Sequence, residues 1–145
     1  MNLCQRLLMN IGKVAPPSFR NKLYRIAGME IGDRTRITKG FYVDRPEGVT
    51  IGTHCFFNHF AHLHNGANKD TTITFGDNVF VGPDVSFICA SHQIGPEYQR
   101  AGKDTYGSIV VEDGVWIGAG AVVTKSTEPN GLYLGVPAKR VRDLD

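Results

Sequence analysis

The 145-residue sequence has only three cysteines and no long apolar run. Cys4, Cys55 and Cys89 stand at unrelated spacings, which indicates neither a disulfide framework nor a zinc ribbon. No segment approaches the ~20 continuous apolar residues of a membrane-spanning helix. The first residues also lack the apolar core and the small-residue cleavage site of a secretory signal. We therefore expect a single-domain cytoplasmic protein.

The sequence also lacks a strong charge, because its formal net charge is only +2. This value is too small to indicate a nucleic-acid partner. The first 29 residues nevertheless carry charge of one sign, because they include basic residues and no acidic residue. Leu3, Leu7 and Ile11 recur there at helical spacing and predict an amphipathic helical segment. This segment either packs on the domain or makes a peripheral contact with the inner face of a membrane.

An apolar residue recurs every six positions from Ile31 onward, often with glycine directly after it, as in "IGDRTR", "IGTHCF" and "VGPDVS". This period is typical of short strands that each point one side chain inward, with glycine relieving crowding or a positive φ at the turns. Three strands make one turn of ~18 residues, and the turns stack ~4.8 Å apart. The pattern predicts an all-β solenoid, a parallel β-helix. The following residues should also point inward: Val79, Val85, Val115 and Ala121.

The period divides the chain into three parts. We predict a helical segment over residues 1–29, a β-helix over 30–127 and a C-terminal capping tail over 128–145. Polar interruptions at about 64–72 and 93–108 predict loops, and loops on a rigid scaffold often carry binding groups. His92 directly precedes the second loop, which makes it a candidate functional residue.

Three segments in this order resemble a known family: "TFGDNVFVGPDVSFICASHQ", "IVVEDGVWIGAGAVV" and "VTKSTEPNGLYLGVPAKRVRDL". They are similar to the hexapeptide-repeat O-acetyltransferases, in the branch that modifies sugars and polysaccharides. The resemblance implies a left-handed parallel β-helix and a homotrimer with active sites between subunits. It also implies acetyl-CoA as the acyl donor, a saccharide or glycan precursor as the acceptor, direct transfer and no metal.

The resemblance also implies roles for individual residues. It assigns catalysis to His92, and acceptor binding to Asn58, Phe56 and Glu97. It assigns coenzyme binding to the following residues: Trp116, Ala119, Thr124, Lys125, Lys139 and Arg142. The chemistry supports the first assignment, because a histidine with an ordinary pKa of ~6.5 suits removal of a proton from a sugar hydroxyl. A backbone N–H beside the thioester, such as that of Ala119, would stabilise the oxyanion.

One departure from the resembled family supports an alternative function. The family normally has at least one further coil between "VWIGAGAVV" and the tail, whereas here Val123 leads directly into Thr124 and Lys125. In the resembled family the coenzyme lies along the outside of the last coils. A β-helix that is one coil shorter therefore predicts weakened or altered coenzyme binding. The alternative is a catalytically silent trimeric β-helix that acts as a scaffold or a binding protein.

A histidine cluster raises a second alternative, a metalloenzyme. His54, His59, His62 and His64 lie close together in "THCFFNHFAHLHNG". His59 and His64 have a spacing found in the γ-class carbonic anhydrases, which share this fold and bind zinc with three histidines at a subunit interface. The remaining histidine of that class lies well upstream, and here only His54 precedes the pair. We therefore expect no metal and histidines that face solvent or an interface.

Overall fold

The computed structural model describes residues 1–66 and 68–145. Residue 67 belongs to the predicted loop at about 64–72 and lies outside the described residues. Two short helices come first, α1 (Leu3–Val14) and α2 (Pro17–Ile26). They pack closely, because a Cβ on Gly12 of α1 would overlap the Tyr24 ring of α2. Among the described residues, no helix is long and apolar enough to cross a membrane.

The strands after α2 are short and belong in turn to three sheets. Sheet 1 contains β1 (Glu30–Ile31), β4 (Val49–Ile51), β7 (Ile73–Phe75) and β12 (Ile109–Val111). Sheet 2 contains β2 (Arg36–Ile37), β5 (Phe56–Phe57), β8 (Phe80–Val81), β13 (Trp116–Ile117), β15 (Gly131–Leu134) and β16 (Lys139–Asp143). Sheet 3 contains β3 (Tyr42–Val43), β6 (His62–His64), β9 (Ser86–Ile88) and β14 (Val122–Val123). A 3-10 turn (Pro46–Gly48) precedes β4.

Except for β16, which pairs antiparallel with β15, neighbouring strands within these three sheets are parallel and come from successive passes of the chain through all three sheets. Ile31 pairs with Ile51, and Ile51 pairs with Phe75. We call one such pass a coil. The predicted core of parallel strands, with a short helical segment before it, is confirmed by this pairing.

The core lies between the three sheets, because each strand points an apolar side chain inward. In sheet 2 the inward residues Ile37, Phe57, Val81 and Ile117 are at most 2% exposed. Rings from different sheets meet edge to face in the centre, with Phe57 4.8 Å from Phe75 between ring centroids. The additional inward positions that the sequence predicts are confirmed, since Val79, Val85, Val115 and Ala121 are all buried.

Close approach of two backbones and the left-handed conformation occur at different positions in the turns. A Cβ on Gly32, directly after the inward Ile31, would lie 2.6 Å from the carbonyl of Gly52 in the next coil, so this position requires the close approach of two backbones. The left-handed conformation recurs between sheets 2 and 3, at Gly40, Phe60, Asp84 and Gly120, and also at the corner between sheets 1 and 2. At the latter corner it forms a column of residues with φ between 51° and 67°: Arg34, His54, Asn78, Gly114 and Asn130.

The C-terminal segment differs from the predicted boundary at residue 128. Asn130 continues the left-handed column, and Gly131–Leu134 forms β15 in parallel register with β13. Before it, the Thr127 N–H donates to the Val110 carbonyl of sheet 1 at 2.9 Å. After it, the Ala138 N–H donates to Val122 of sheet 3 at 2.7 Å. The segment 127–138 therefore makes one further, irregular coil, which overlaps the predicted capping tail.

Candidate functional site

A protruding hairpin carries His92. Strand β10 (Ala90–Ile94) leaves the body directly after β9, and β11 (Ala101–Tyr106) returns antiparallel to it. A tight turn closes the hairpin, with the Gly95 N–H donating to the Arg100 carbonyl at 2.9 Å. The register places His92 opposite Asp104. The predicted loop at 93–108 is thus a short antiparallel ribbon that fixes where His92 lies.

His92, Asp104 and Tyr106 form a chain of polar contacts. The His92 Nδ1 lies 2.9 Å from Asp104 Oδ1, and the Tyr106 hydroxyl donates to Asp104 Oδ2 at 3.1 Å. This hydrogen bond raises the pKa of Tyr106. Because an ionised carboxylate only accepts hydrogen bonds, Nδ1 carries the proton and the lone pair of the neutral ring is on Nε2. The side chains of His92 and Asp104 are 53% and 55% exposed, so the imidazole is open to an incoming molecule.

Asp104 and Tyr106 are functional candidates that the sequence analysis missed. The sequence does not indicate Asp104 as a partner of His92, because Asp104 is twelve residues away in a segment predicted to be a loop. A signal was present in "IGPEYQRAG", where Gly-Pro and Gly punctuate a segment that a hairpin turn can occupy.

A ladder of aromatic rings lies on the outer face of sheet 2. Phe56 stacks on Phe80 with their centroids 4.8 Å apart, and Phe80 contacts Trp116 at 6.1 Å. Phe80 and Trp116 are 44% and 46% exposed. A cavity of ≈ 320 Å³ adjoins both rings and extends to Leu144. This exposed apolar face can pack against a flexible chain with little polarity, such as a pantetheine arm.

Asn58 and Ala119 lie where sheet 2 turns towards sheet 3. The Asn58 N–H donates to the Val81 carbonyl at 2.9 Å, and its side-chain oxygen accepts from the His59 N–H at 2.8 Å. Ala119 lies at the equivalent turn two coils later. Within residues 1–66 and 68–145, the Ala119 N–H has no hydrogen-bond acceptor. This amide is available for a ligand carbonyl.

Thr124 and Lys125 follow β14, where sheet 3 turns back towards sheet 1. Thr124 lines a cavity of ≈ 460 Å³ at the base of the hairpin, together with Ser91, Thr105 and Tyr106. The exposed Lys125 is the next residue along the chain. The structure therefore brings Thr124 to the foot of the hairpin that carries His92.

The C-terminal strand brings Lys139 and Arg142 to sheet 2. Arg142 pairs with Leu132 and Lys139 with Leu134 in the antiparallel pairing of β16 with β15. Leu132 is itself in register with Trp116. Two cationic side chains thus stand on the same sheet as the aromatic ladder, two strands from Trp116.

The site residues that the sequence predicts fall into two groups in a single copy. His92 stands on the hairpin after sheet 3, with Glu97 in its exposed turn. Phe56 and Trp116 stand on sheet 2, which is a different side of the three-sided core. Glu97 and Phe56, both predicted to bind the acceptor, therefore lie on separate elements.

The histidine cluster is divided among different elements. His62 and His64 lie on β6 and contact Tyr42 on the outer face of sheet 3, with His64 Nδ1 3.6 Å from Asp44 Oδ2. Burial and the neighbouring His64 lower the pKa of His62. His54 instead lies at the corner after sheet 1, 3.2 Å from Arg34. Across the part of the chain that the structure describes, no three His, Cys, Asp or Glu side chains form a metal-binding group.

Comparisons with known proteins give consistent relatives. No family model matches the chain. A galactoside O-acetyltransferase of Escherichia coli is 25% identical over 144 residues, covering 80% of this chain and 71% of that protein. The Lactococcus lactis galactoside O-acetyltransferase is 30% identical, covering 79% of this chain and 54% of its own length. Among solved structures, a hexapeptide-repeat-containing acetyltransferase of Vibrio cholerae, complexed with acetyl coenzyme A, superposes with a TM-score of 0.77. It is 27% identical, and the match covers 97% of this chain and 85% of that one.

Proposed function

We propose that the chain is a hexapeptide-repeat acetyltransferase that transfers an acetyl group from acetyl-CoA to a hydroxyl group of a saccharide or glycan precursor. The observation that carries this proposal is the His92–Asp104 contact on the hairpin. Acetyl-CoA is a metabolite of the cytoplasm, so the proposal includes a cytoplasmic location.

The proposed architecture is a left-handed parallel β-helix. Strands that enter three sheets in rotation and pair across successive coils support this assignment. The superposition on the Vibrio cholerae acetyltransferase supports it as well.

His92 is the proposed general base. A sugar hydroxyl is a poor nucleophile at neutral pH, so its proton must leave as its oxygen attacks the thioester carbonyl. His92 Nε2 accepts this proton, while Asp104 holds the ring through Nδ1 and stabilises the imidazolium that forms. The new C–O bond forms, the C–S bond breaks, and His92 returns the proton to the departing thiolate. Transfer is direct, with no acyl group on the protein.

Backbone and cationic groups complete the proposed donor site. The unpaired N–H of Ala119 donates to the carbonyl oxygen on which negative charge develops, a contribution of about 3 kcal/mol per donor in other acyl-transfer enzymes. The apolar face of Trp116 packs along the pantetheine arm. Lys125, Lys139 and Arg142 pair with the phosphates of the nucleotide end, since cations form charge-assisted hydrogen bonds with phosphate. Acetyl-CoA itself supplies the acetyl group as an activated thioester.

A complete site requires two copies of the chain. His92 projects on the hairpin after sheet 3, whereas Trp116 lies on sheet 2 and Asn58 at the turn that follows β5, so we propose that one copy does not present all three to one ligand. A closed ring in which sheet 3 of one copy faces sheet 2 of the next would bring them together. We therefore propose a homotrimer with one site in each of its three grooves.

A coenzyme-release assay tests the enzyme and its base. Thiol production from acetyl-CoA is measured with a panel of soluble mono- and oligosaccharide acceptors. The His92→Ala variant should lose nearly all acceptor-dependent release, while the control His59→Ala, at an exposed turn, should keep it. Full activity of His92→Ala would refute the mechanism, and no release by the wild type with any acceptor would favour the silent scaffold.

A hybrid experiment tests the shared site. Asn58→Ala and His92→Ala chains, each inactive alone, are coexpressed with different tags and purified through both. If sites form between copies, trimers that contain both chains regain roughly one third of the wild-type sites, because each has one junction with an intact His92 and an intact Asn58. If each site lies within one copy, the hybrids stay inactive.

A further inference from the structure

An apolar stripe on α1 faces away from the core. Leu3, Leu7, Ile11 and Val14 are 82%, 59%, 45% and 83% exposed. Their spacing of four, four and three residues places them on one side of a helix. The opposite side of α1 contacts the body of the protein, where Gly12 is buried. We refer to these four residues as the apolar stripe.

The second helix repeats this arrangement. Phe19 and Ile26 of α2 are both 61% exposed, whereas Arg20 and Tyr24 on its other side are buried. The buried Arg20 is held by three backbone carbonyls, including that of Ile37 in sheet 2 at 2.7 Å. Both helices are thus fixed to the β-strands by one side and leave aliphatic or aromatic side chains on the other.

The charge within residues 1–29 is entirely positive, although Asp33 lies 3.9 Å from Arg25 of α2. Residues 1–29 contain five basic side chains and no acidic one. Arg6 lies beside the stripe and is exposed, as is Lys22 on α2. The carboxylate that reaches α1 from the body is Glu47, which bonds Gln5 at 2.6 Å on the side that faces the strands. Nothing in the helical segment itself repels an anionic surface.

The size of the stripe distinguishes between possible partners. Four aliphatic side chains expose on the order of 300 Å² of removable apolar area. A stable interface between copies buries about 800 Å² from each partner, of which roughly 450–500 Å² is apolar. A small apolar face with basic residues at its side is instead typical of a helix that lies reversibly in the interfacial region of a bilayer.

We propose that α1 and α2 bind the surface of an anionic lipid bilayer, with the apolar stripe inserted at the level of the headgroups. Arg6 and Lys22 then contact lipid phosphates, and each basic residue near such a surface contributes attraction that salt screens. The inserted side chains lie on the helices and leave His92 and the aromatic ladder outside the contact.

Vesicle sedimentation tests this proposal with the whole chain. Protein is spun down with phosphatidylcholine vesicles that do or do not contain phosphatidylglycerol, at low and high salt. The wild type should bind the anionic vesicles at low salt and lose most binding at high salt. The double variant Leu7→Asn/Ile11→Asn should bind at least roughly tenfold more weakly, because two aliphatic groups no longer leave water. Val141→Asn is the matched control, since Val141 is 55% exposed on β16.

Two further measurements separate the contribution of charge from that of the apolar stripe, and vesicle binding from acetyl transfer. Arg6→Gln/Lys22→Gln removes charge without touching the stripe and should weaken binding to anionic vesicles only. Acetyl transfer to soluble sugars should be the same in all these variants, so failure of vesicle binding is distinguishable from failure of the proposed activity. Equal binding to neutral vesicles, or no binding to anionic ones, would overturn the proposal. A changed oligomeric state of Leu7→Asn/Ile11→Asn would assign the stripe to an interface between copies and overturn it too.

Discussion

Replacing Asp104 with asparagine isolates the charge behind His92. The side chain keeps its shape, but it no longer offers a carboxylate to Nδ1 at 2.9 Å. The contact is about half exposed, so its ground-state contribution to stability is small, roughly 0.2–1 kcal/mol. In the transition state the imidazole is charged, and a hydrogen bond to a charged group is worth about 1.5–3 kcal/mol. We expect a fall in kcat of about 10- to 100-fold, which corresponds to ~1.4–2.7 kcal/mol.

The assay follows coenzyme A release at saturating acceptor. The KM for acetyl-CoA should change little, because Asp104 acts on His92 and not on the coenzyme. Asp104→Glu keeps the carboxylate and should recover part of the rate. Tyr106→Phe removes only a hydrogen-bond donor to Asp104, so its kcat should fall less than that of Asp104→Asn. Lys103→Gln is the control on the same strand. A folded Asp104→Asn enzyme with kcat within about twofold of wild type would refute the role of Asp104 as a positioning residue.

Three other predictions concern the coenzyme, the core and the thiols. Calorimetric titration should give a Kd for acetyl-CoA weaker than micromolar if the track is one coil (~4.8 Å) short, and micromolar binding would contradict this. In denaturant unfolding, Phe57→Ala in the core should lower the free energy of unfolding by about 3–5 kcal/mol. Phe80→Ala on the outer face should lower it by about 1 kcal/mol. Equal losses would show that the inward and outward assignments are wrong. Burial raises the pKa of Cys89 to about 11 and also raises that of Cys55, so at neutral pH an aromatic disulfide reagent should modify Cys4 at once and the other two only after unfolding.

The repeated part of the fold was predictable because its cause is local. An inward residue such as Phe57 recurs every six positions, since every short strand must bury one side chain, and that demand is visible in the sequence. The irregular last coil was not predictable in this way. Gly131–Leu134 has no six-residue marker, and its pairing with β13 depends on a distant strand edge that remains to be covered.

The candidate site was also only partly predictable from the sequence. His92 was found because it directly follows a marked strand, and its role stays a prediction. Asp104 was missed because its importance comes from cross-strand register, which places it opposite a residue twelve positions earlier. Register across a hairpin depends on the turn that closes it, here at Gly95–Arg100, and single-sequence patterns define turns poorly.

The pairing of strands also has a consequence for how the molecule folds. Partner residues in the parallel ladders are separated by as few as 16 positions (Trp116 and Leu132) and as many as 36 (Ile73 and Ile109). Contacts of this range let each coil dock on its predecessor as soon as it leaves the ribosome, without waiting for the C-terminus. Growth can therefore proceed in one direction, from the helices onward. Strand β16 follows all of these coils in the chain, so the cationic end of the proposed donor site is completed only after the coils before it are in place.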